Sequence, residues 1–269
     1  YYEEAGIMPK RLEYVNGPAE MMAFAAGDID VGYVGCVPAL TAKSKGLDFI
    51  IVASANLEGS AIVAAPEIKT VSDLNGKAVG TPGIGTIQDS LLYMVERRLN
   101  IAVTHKHYRI ADLPLAFEKR EIDAFIAWEP FCAEVVVKGI GHVVYTSHDI
   151  LPNHQCCVFY VSGKIFREQT DLAKKLLKVH VKAMNFAMNN PEDAMKIFAD
   201  MTGKSIDEVR ESWKRMVWNY YVNMTSMKIF VQYLIEQGKI DPGDIPNVDE
   251  FINTAVDQNL LREVVKAAG

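Results

Sequence analysis

"AFAAGDIDVGYVG" (Ala23–Gly35) lies over "AFEKREIDAFIAW" (Ala116–Trp128), 93 residues further along the chain, and the match repeats Ala, Phe, Ile and Asp in register. At the same spacing "KGLDFIIVASAN" lies over "KGIGHVVYTSHD", so the correspondence runs without gaps over roughly residues 11–57 and 104–150. Both copies read as a strand-like run, a helix, an Ile-Asp step, an apolar strand, a proline-containing helix start, Lys-Gly and another apolar strand. Each half is therefore a βαβαβ unit. Strands alternating with helices make a parallel-rich sheet flanked by helices, so the fold class is α/β with two similar lobes.

Between the copies stands "GKAVGTPGIGTIQDSLLYMVERRL" (Gly76–Leu99). Its apolar residues Ile87, Leu91, Met94, Val95 and Leu99 recur at helical spacing, and Thr86 with Asp89 three residues on reads as a capping box. The glycine turn thus opens a helix, whose first N–H groups and dipole suit an anion or an acceptor oxygen at Gly85 and Thr86. A nucleotide phosphate loop is excluded by spacing, because Gly85 is followed by Thr86 and Ile87 with no lysine. The dinucleotide fingerprint fails at Gln88, where a small residue is required, although Asp112 stands at a tolerable distance downstream. A capped turn with no ligand is the plain alternative, and Asp89 favours it by competing for the same dipole. The repeat also places a strand equivalent to Ala78–Pro82 ahead of Tyr1, and matches "YYEEAGI" to the helix tail "MVERRLNI"; an upstream segment carrying the first strand is expected.

The chain has 269 residues, 49% of them apolar and 23% charged, with a formal charge of −6 and no block of Lys and Arg. That balance gives nucleic acid no electrostatic footprint. No apolar run approaches the ~18 residues of a membrane span, and "YYEEAGIMPK" has neither the basic start nor the apolar middle of a signal peptide. Cys36, Cys132, Cys156 and Cys157 do not form a disulfide framework in a chain of this size, and the redox compartment stays open. From Ile165 onward the pattern is mostly helical, broken at "NNPED", "MTGKS", "NMTS" and "GKIDPGDIPN". The domain reading is a discontinuous first lobe, 1–63 with 155–269, and a second lobe, 67–152, joined by two crossings that act as a hinge around a ligand-closing cleft.

With "YYEEAGI", "AFAAGDIDVGYVGCVPAL", "VSDLNGKAVGTPGIGTIQDSLL", "EIDAFIAWEPF" and the late "YLIEQGKI" in order, the chain resembles the type II periplasmic substrate-binding proteins of ABC importers for nitrate, aliphatic sulfonates, taurine and bicarbonate. The resemblance spans essentially the whole chain. It implies a two-lobed fold and a non-enzymatic, cofactor-free monomer that passes a small anionic or zwitterionic ligand to ABC membrane subunits. It also implies a periplasmic location, or an extracellular one as an anchored lipoprotein.

In parallel α/β sheets ligands sit beyond the carboxyl ends of the strands, which selects Gly35, Cys36, Asn56, Ser60, Gly85, Thr86, Trp128 and Glu129. The repeat sets Gly35 and Cys36 opposite Trp128 and Glu129. Trp128 is either an apolar wall for the ligand or a core tryptophan. Glu129 either accepts an ammonium group, which would make the ligand a taurine-like zwitterion, or caps the helix starting at Pro130. Asn153 and His154 are polar candidates at the second crossing. A metal at His148, His154, Cys156 and Cys157 is disfavoured, because neighbours on a strand face opposite sides and leave at most one thiol to join the histidines. His105 and His107 share a strand face without a third ligand and read as solvated or packed. No Gly-x-Ser-x-Gly elbow or motif-placed Cys/His pair occurs. Two alternatives to an oxyanion binder stand: a binder of an aromatic heterocycle such as a thiamine-pyrimidine precursor or a flavin, held by Trp128 and Glu129, and a cofactor-biosynthesis enzyme using His148, His154 and Cys156.

Overall fold

The computed structural model describes residues 1–268. Its strands are β1 (Val31–Gly35), β2 (Phe49–Ser54), β3 (Leu57–Glu58), β4 (Ser60–Ala64), β5 (Ala78–Thr81), β6 (Thr104–His107), β7 (Ala124–Trp128), β8 (His142–Thr146), β9 (Cys157–Ser162) and β10 (Met216–Val217). The helices that position the candidate residues are α1 (Gly17–Ala26), α2 (Cys36–Ser44), α3 (Ile87–Leu99), α4 (Leu113–Glu118) and α5 (Phe131–Val137). The chain forms two compact units, one of residues 1–57, 155–191 and 218 onward, the other of residues 58–154 and 192–217.

In the first unit the sheet order is β1-β9-β2, with β9 antiparallel to both neighbours. β1 and β2 therefore run the same way with a reversed strand between them. α1 begins where the Asn16 side chain accepts the Ala19 N–H at 3.0 Å and Pro18 fixes the first turn, and it stops at Gly27, whose φ of 83° favours glycine. The core packs Val52, Ala53, Phe159 and Val161 of the sheet against Leu177 and Val181 of helix Thr170–Asn189 and Leu261 of helix Asn259–Ala268. β1 is an edge strand. Residues 8–14 carry no helix or strand, although the 93-residue repeat sets 11–14 at the place of β6, and Met8 and Leu12 are exposed.

The second unit holds a five-stranded sheet in the order β6-β5-β7-β4-β8. β5 is parallel to β6 and β7, whereas β4 is antiparallel to β7 and β8. Its core joins Val63, Phe125 and Ala127 to Leu113, Phe117 and Val135. Gly80 of β5 is required here, since a Cβ would lie 2.6 Å from Leu113 and 2.7 Å from Ile122.

Two boundaries differ from the sequence expectation. β4, assigned to the first lobe by the span 1–63, pairs between β7 and β8 in the second sheet. Residues 192–217, expected with the first lobe, belong to the second unit, where helix Ile206–Trp213 packs on α5 and Lys204 and Arg215 reach Glu134 and Glu129. The first difference arises because an apolar run reveals burial but neither its sheet nor its direction, and the second because an amphipathic helix shows that it packs but not on what. Among the described residues no helix is long and apolar enough to cross a membrane.

Candidate functional site

In the second unit the carboxyl ends of β5 and β7 meet the beginning of β4, with Ser60 opposite Trp128. Ser60 is fully buried; its Oγ accepts a hydrogen bond from Gln88 Nε2 at 2.9 Å and its N–H donates to Ser147 Oγ at 3.2 Å. A hydroxyl that accepts one bond still has its proton to donate, so Ser60 and Ser147 form an uncharged polar pair beside Trp128. Trp128 is half-buried and packs edge-on against Phe131, with ring centroids 6.3 Å apart. Gln88, the residue that breaks the dinucleotide fingerprint, is the side chain that orients Ser60.

The glycine turn is built from its own side chains. Thr86 caps α3 by accepting the Asp89 N–H at 3.3 Å, and its hydroxyl donates to Gly83 O at 2.7 Å. Gly83 N–H donates to Thr81 Oγ1 at 3.3 Å, and Thr81 also bonds His107 Nδ1 at 2.9 Å. Gly85 N–H donates to the Asp89 carboxylate at 3.2 Å. The Gly85 amide thus meets an anion from the chain itself, the carboxylate of Asp89, which is only 6% exposed. Asp89 in turn lies 3.7 Å from His105 Nδ1, and Glu96 bonds His105 Nε2 at 2.8 Å. These two carboxylates push the His105 pKa up to about 9, so the imidazolium balances the charge at the turn. His105 is thus neither simply solvated nor packed.

Glu129 is turned away from an amine. Its buried carboxylate accepts a hydrogen bond from the Arg215 guanidinium and another from Ala133 N–H at 3.0 Å, within the first turn of α5. Burial pushes its carboxyl up, against the pull of Arg215. Arg215 Nη1 also reaches Glu211 at 2.9 Å. The carboxylate thus caps the helix, the plainer of its two expected roles, and its charge has a protein partner that lies 86 residues on and that no local spacing announces.

Asn153 and His154 lie at the end of the same unit. Asn153 N–H donates at 2.6 Å to Glu58, a buried carboxylate that sequence reasoning missed, and His154 O accepts the Glu58 N–H at 3.0 Å. Glu58 also bonds His148 Nδ1 at 2.6 Å, which raises the histidine's pKa. Glu58 and Asn153 both take left-handed backbone conformations, with φ of 58° and 57°. Non-glycine residues held there mark places where surrounding bonds over-determine the backbone.

In the first unit Cys36 opens α2 with no exposed surface; its N–H donates to Cys156 O at 2.8 Å and its thiol to Gln155 O at 3.1 Å. Gly35 stands opposite Cys157 in the sheet. Asn56 is buried, and its carbonyl accepts bonds from Cys156 N–H and Gln155 Nε2, both at 3.2 Å. Gln155, also missed, is the hub: its amide reaches Ser54 Oγ at 2.9 Å and Cys157 O at 2.8 Å, and accepts from Asn223 N–H at 2.9 Å. His180 bonds Ser54 O at 2.9 Å and Tyr33 OH at 3.2 Å, and Tyr33 stacks on Phe159 at 4.6 Å. Burial holds the His180 pKa down to about 4.

The fold matches that of solved periplasmic binding proteins. The chain belongs to the NMT1-like family, to which residues 1–203 match. It is similar to a ligand-binding component of an ABC-type import system from Staphylococcus aureus (TM-score 0.81, 21% identity, 94% of this chain and 87% of that one). It is also similar to the periplasmic aliphatic sulphonate binding protein of Escherichia coli (TM-score 0.78, 21% identity, 97% and 90%) and the periplasmic nitrate-binding protein of Synechocystis PCC 6803 (TM-score 0.80, 14% identity, 95% and 80%). A curated relative from Brucella abortus (strain 2308) is 26% identical over 203 residues, which cover 74% of this chain and 63% of the relative's length.

Proposed function

We propose that the chain is an extracytoplasmic solute-binding protein that takes a small oxyanion with an uncharged apolar body, a simple sulfonate being the type, and delivers it to the membrane subunits of an ABC importer. The observation that carries this reading is the hydroxyl-bearing end of the second unit's sheet, where Ser60 and Ser147 keep protons to donate, Trp128 supplies an apolar wall, and the neighbouring Glu129 carboxylate is paired with Arg215. Hydroxyl donors suit sulfonate oxygens. The sulphonate- and nitrate-binding proteins of similar fold point the same way. An aminosulfonate is not proposed, since Glu129 is paired with Arg215.

Binding without catalysis fits the thiols and the fold. Burial pushes the Cys36 and Cys132 thiols well above their ordinary pKa, which disfavours the thiolate a nucleophile needs. A second reading, an uncharged aromatic heterocycle, is favoured by half-buried Trp128 with the Ser60 hydroxyl opposite it in the sheet.

Thermal-shift titration of the full chain separates these readings. Ethanesulfonate is expected to raise the melting temperature at least as much as taurine, a ligand at a hundred times its Kd adding about 2.7 kcal/mol. A rise with an aminopyrimidine and none with sulfonates or nitrate replaces the oxyanion by the heterocycle. A flat response to all of them overturns both.

A further inference from the structure

Successive side chains on an extended strand point to opposite faces, so neighbouring cysteines at a strand start should hold their sulfurs apart. Cys156 and Cys157 do not. Their Sγ atoms lie 3.8 Å apart and share a thiol–thiol hydrogen bond. Cys156 stands just ahead of β9, its amide and carbonyl held by Asn56 O and Cys36 N–H, and Cys157 opens the strand opposite Gly35, which brings no side chain over it. Cys156 is 4% exposed and Cys157 is half-buried, so Cys157 is the more accessible residue of the pair.

Closing this pair as a disulfide is disfavoured. Adjacent Cα atoms are about 3.8 Å apart across a trans peptide, short of the ~4.4 to 6.8 Å that disulfides span, and such a ring stores strain. One bridging atom fits better: bonds of about 2.3 Å, the length of a zinc–thiolate bond, at a near-tetrahedral angle span roughly 3.8 Å. Among the described residues no group of three His, Cys, Asp or Glu side chains is arranged to hold a metal ion. The bridging centre must therefore need two protein sulfurs only and bring its remaining ligand itself.

We propose that Cys156 and Cys157 form a dithiol site in the first unit for a trivalent arsenic centre carrying one organic group. The exchange is balanced without an oxidant: an arsenoso group, R–As=O, takes both sulfurs, the oxide oxygen leaves as water with the two thiol protons, and arsenic stays trivalent. The bond shared with Cys156, and then burial, push the Cys157 thiol up, keeping the pair as dithiol until the centre arrives.

Phenylarsine oxide added to the reduced full chain tests the site by intact mass and melting temperature. One adduct per chain is expected, stable to excess monothiol, released by 1,2-ethanedithiol, and accompanied by a rise in melting temperature because the native chain presents the sulfurs ready-spaced. Cys156→Ser and Cys157→Ser should each lose it, and Cys36→Ser and Cys132→Ser should keep it. Should the serine variants fail to fold, peptide mapping of the wild-type adduct must place arsenic on the 156–157 pair. No adduct, an adduct that survives Cys157→Ser or needs Cys36, a fall in melting temperature, or a spontaneous 156–157 disulfide in the folded chain overturns the proposal.

Discussion

His180 and Glu129 carry the sharpest consequences at the scale of single residues. His180 is 4% exposed and neutral in the fold, its pKa lowered from 6.5 to about 4 by burial. The unfolded chain takes up this proton more readily, so the associated stability is complete above pH 6.5 and is lost as the pH falls through about 4. A shift of that size is worth about 3 kcal/mol. Urea midpoints should drop between pH 7 and pH 4.5, and His180→Gln should flatten that drop. Glu129→Gln removes one of the two carboxylates that face Arg215 and leaves Glu211 as its remaining counter-charge; stability should fall by about 1 to 3 kcal/mol while any preference between taurine and ethanesulfonate stays unchanged. A changed preference in a ligand titration would return Glu129 to the ligand. Neither role could be read locally: His180 sits in an ordinary helical stripe, and the partner of Glu129 is set by tertiary packing.

At the scale of elements, the glycine turn with α3 and β6 behaves as one electrostatic unit. His105, raised to about 9, contributes stability that is complete below pH 6.5 and is lost as the pH rises through about 9. Asp89→Asn should lower the His105 titration midpoint, as read by NMR, and the same substitution removes the charge that now occupies the Gly85 amide. An unmoved midpoint would mean that Glu96 alone holds the imidazolium. Much of this was legible beforehand. The 93-residue repeat carries β1 (Val31–Gly35) directly onto β7 (Ala124–Trp128), and Thr86 does start the helix. What escaped was direction and rotamer: β4 and β9 look like any apolar strand yet run reversed, and Cys156 and Cys157 turn their sulfurs together instead of apart.

For the whole molecule, the second unit is a composite of residues 58–154 and 192–217. A chain of 58–154 alone keeps Glu129 and Glu134 buried or half-buried without Arg215 and Lys204, and should not fold cooperatively. Joining 192–217 to it through a short flexible linker should restore a cooperative melt by circular dichroism; an equally sharp melt for 58–154 alone would show that the appended helices are dispensable. The central place of β9 in the first sheet reaches further, into how the molecule is made. β1 and β2 leave the ribosome early, but the strand that joins them, Cys157–Ser162, follows only after the entire five-stranded sheet has been synthesised. The sheet begun first is thus completed only after the other sheet's strands have emerged, and its edge partners β1 and β2 wait unpaired for more than a hundred residues of synthesis.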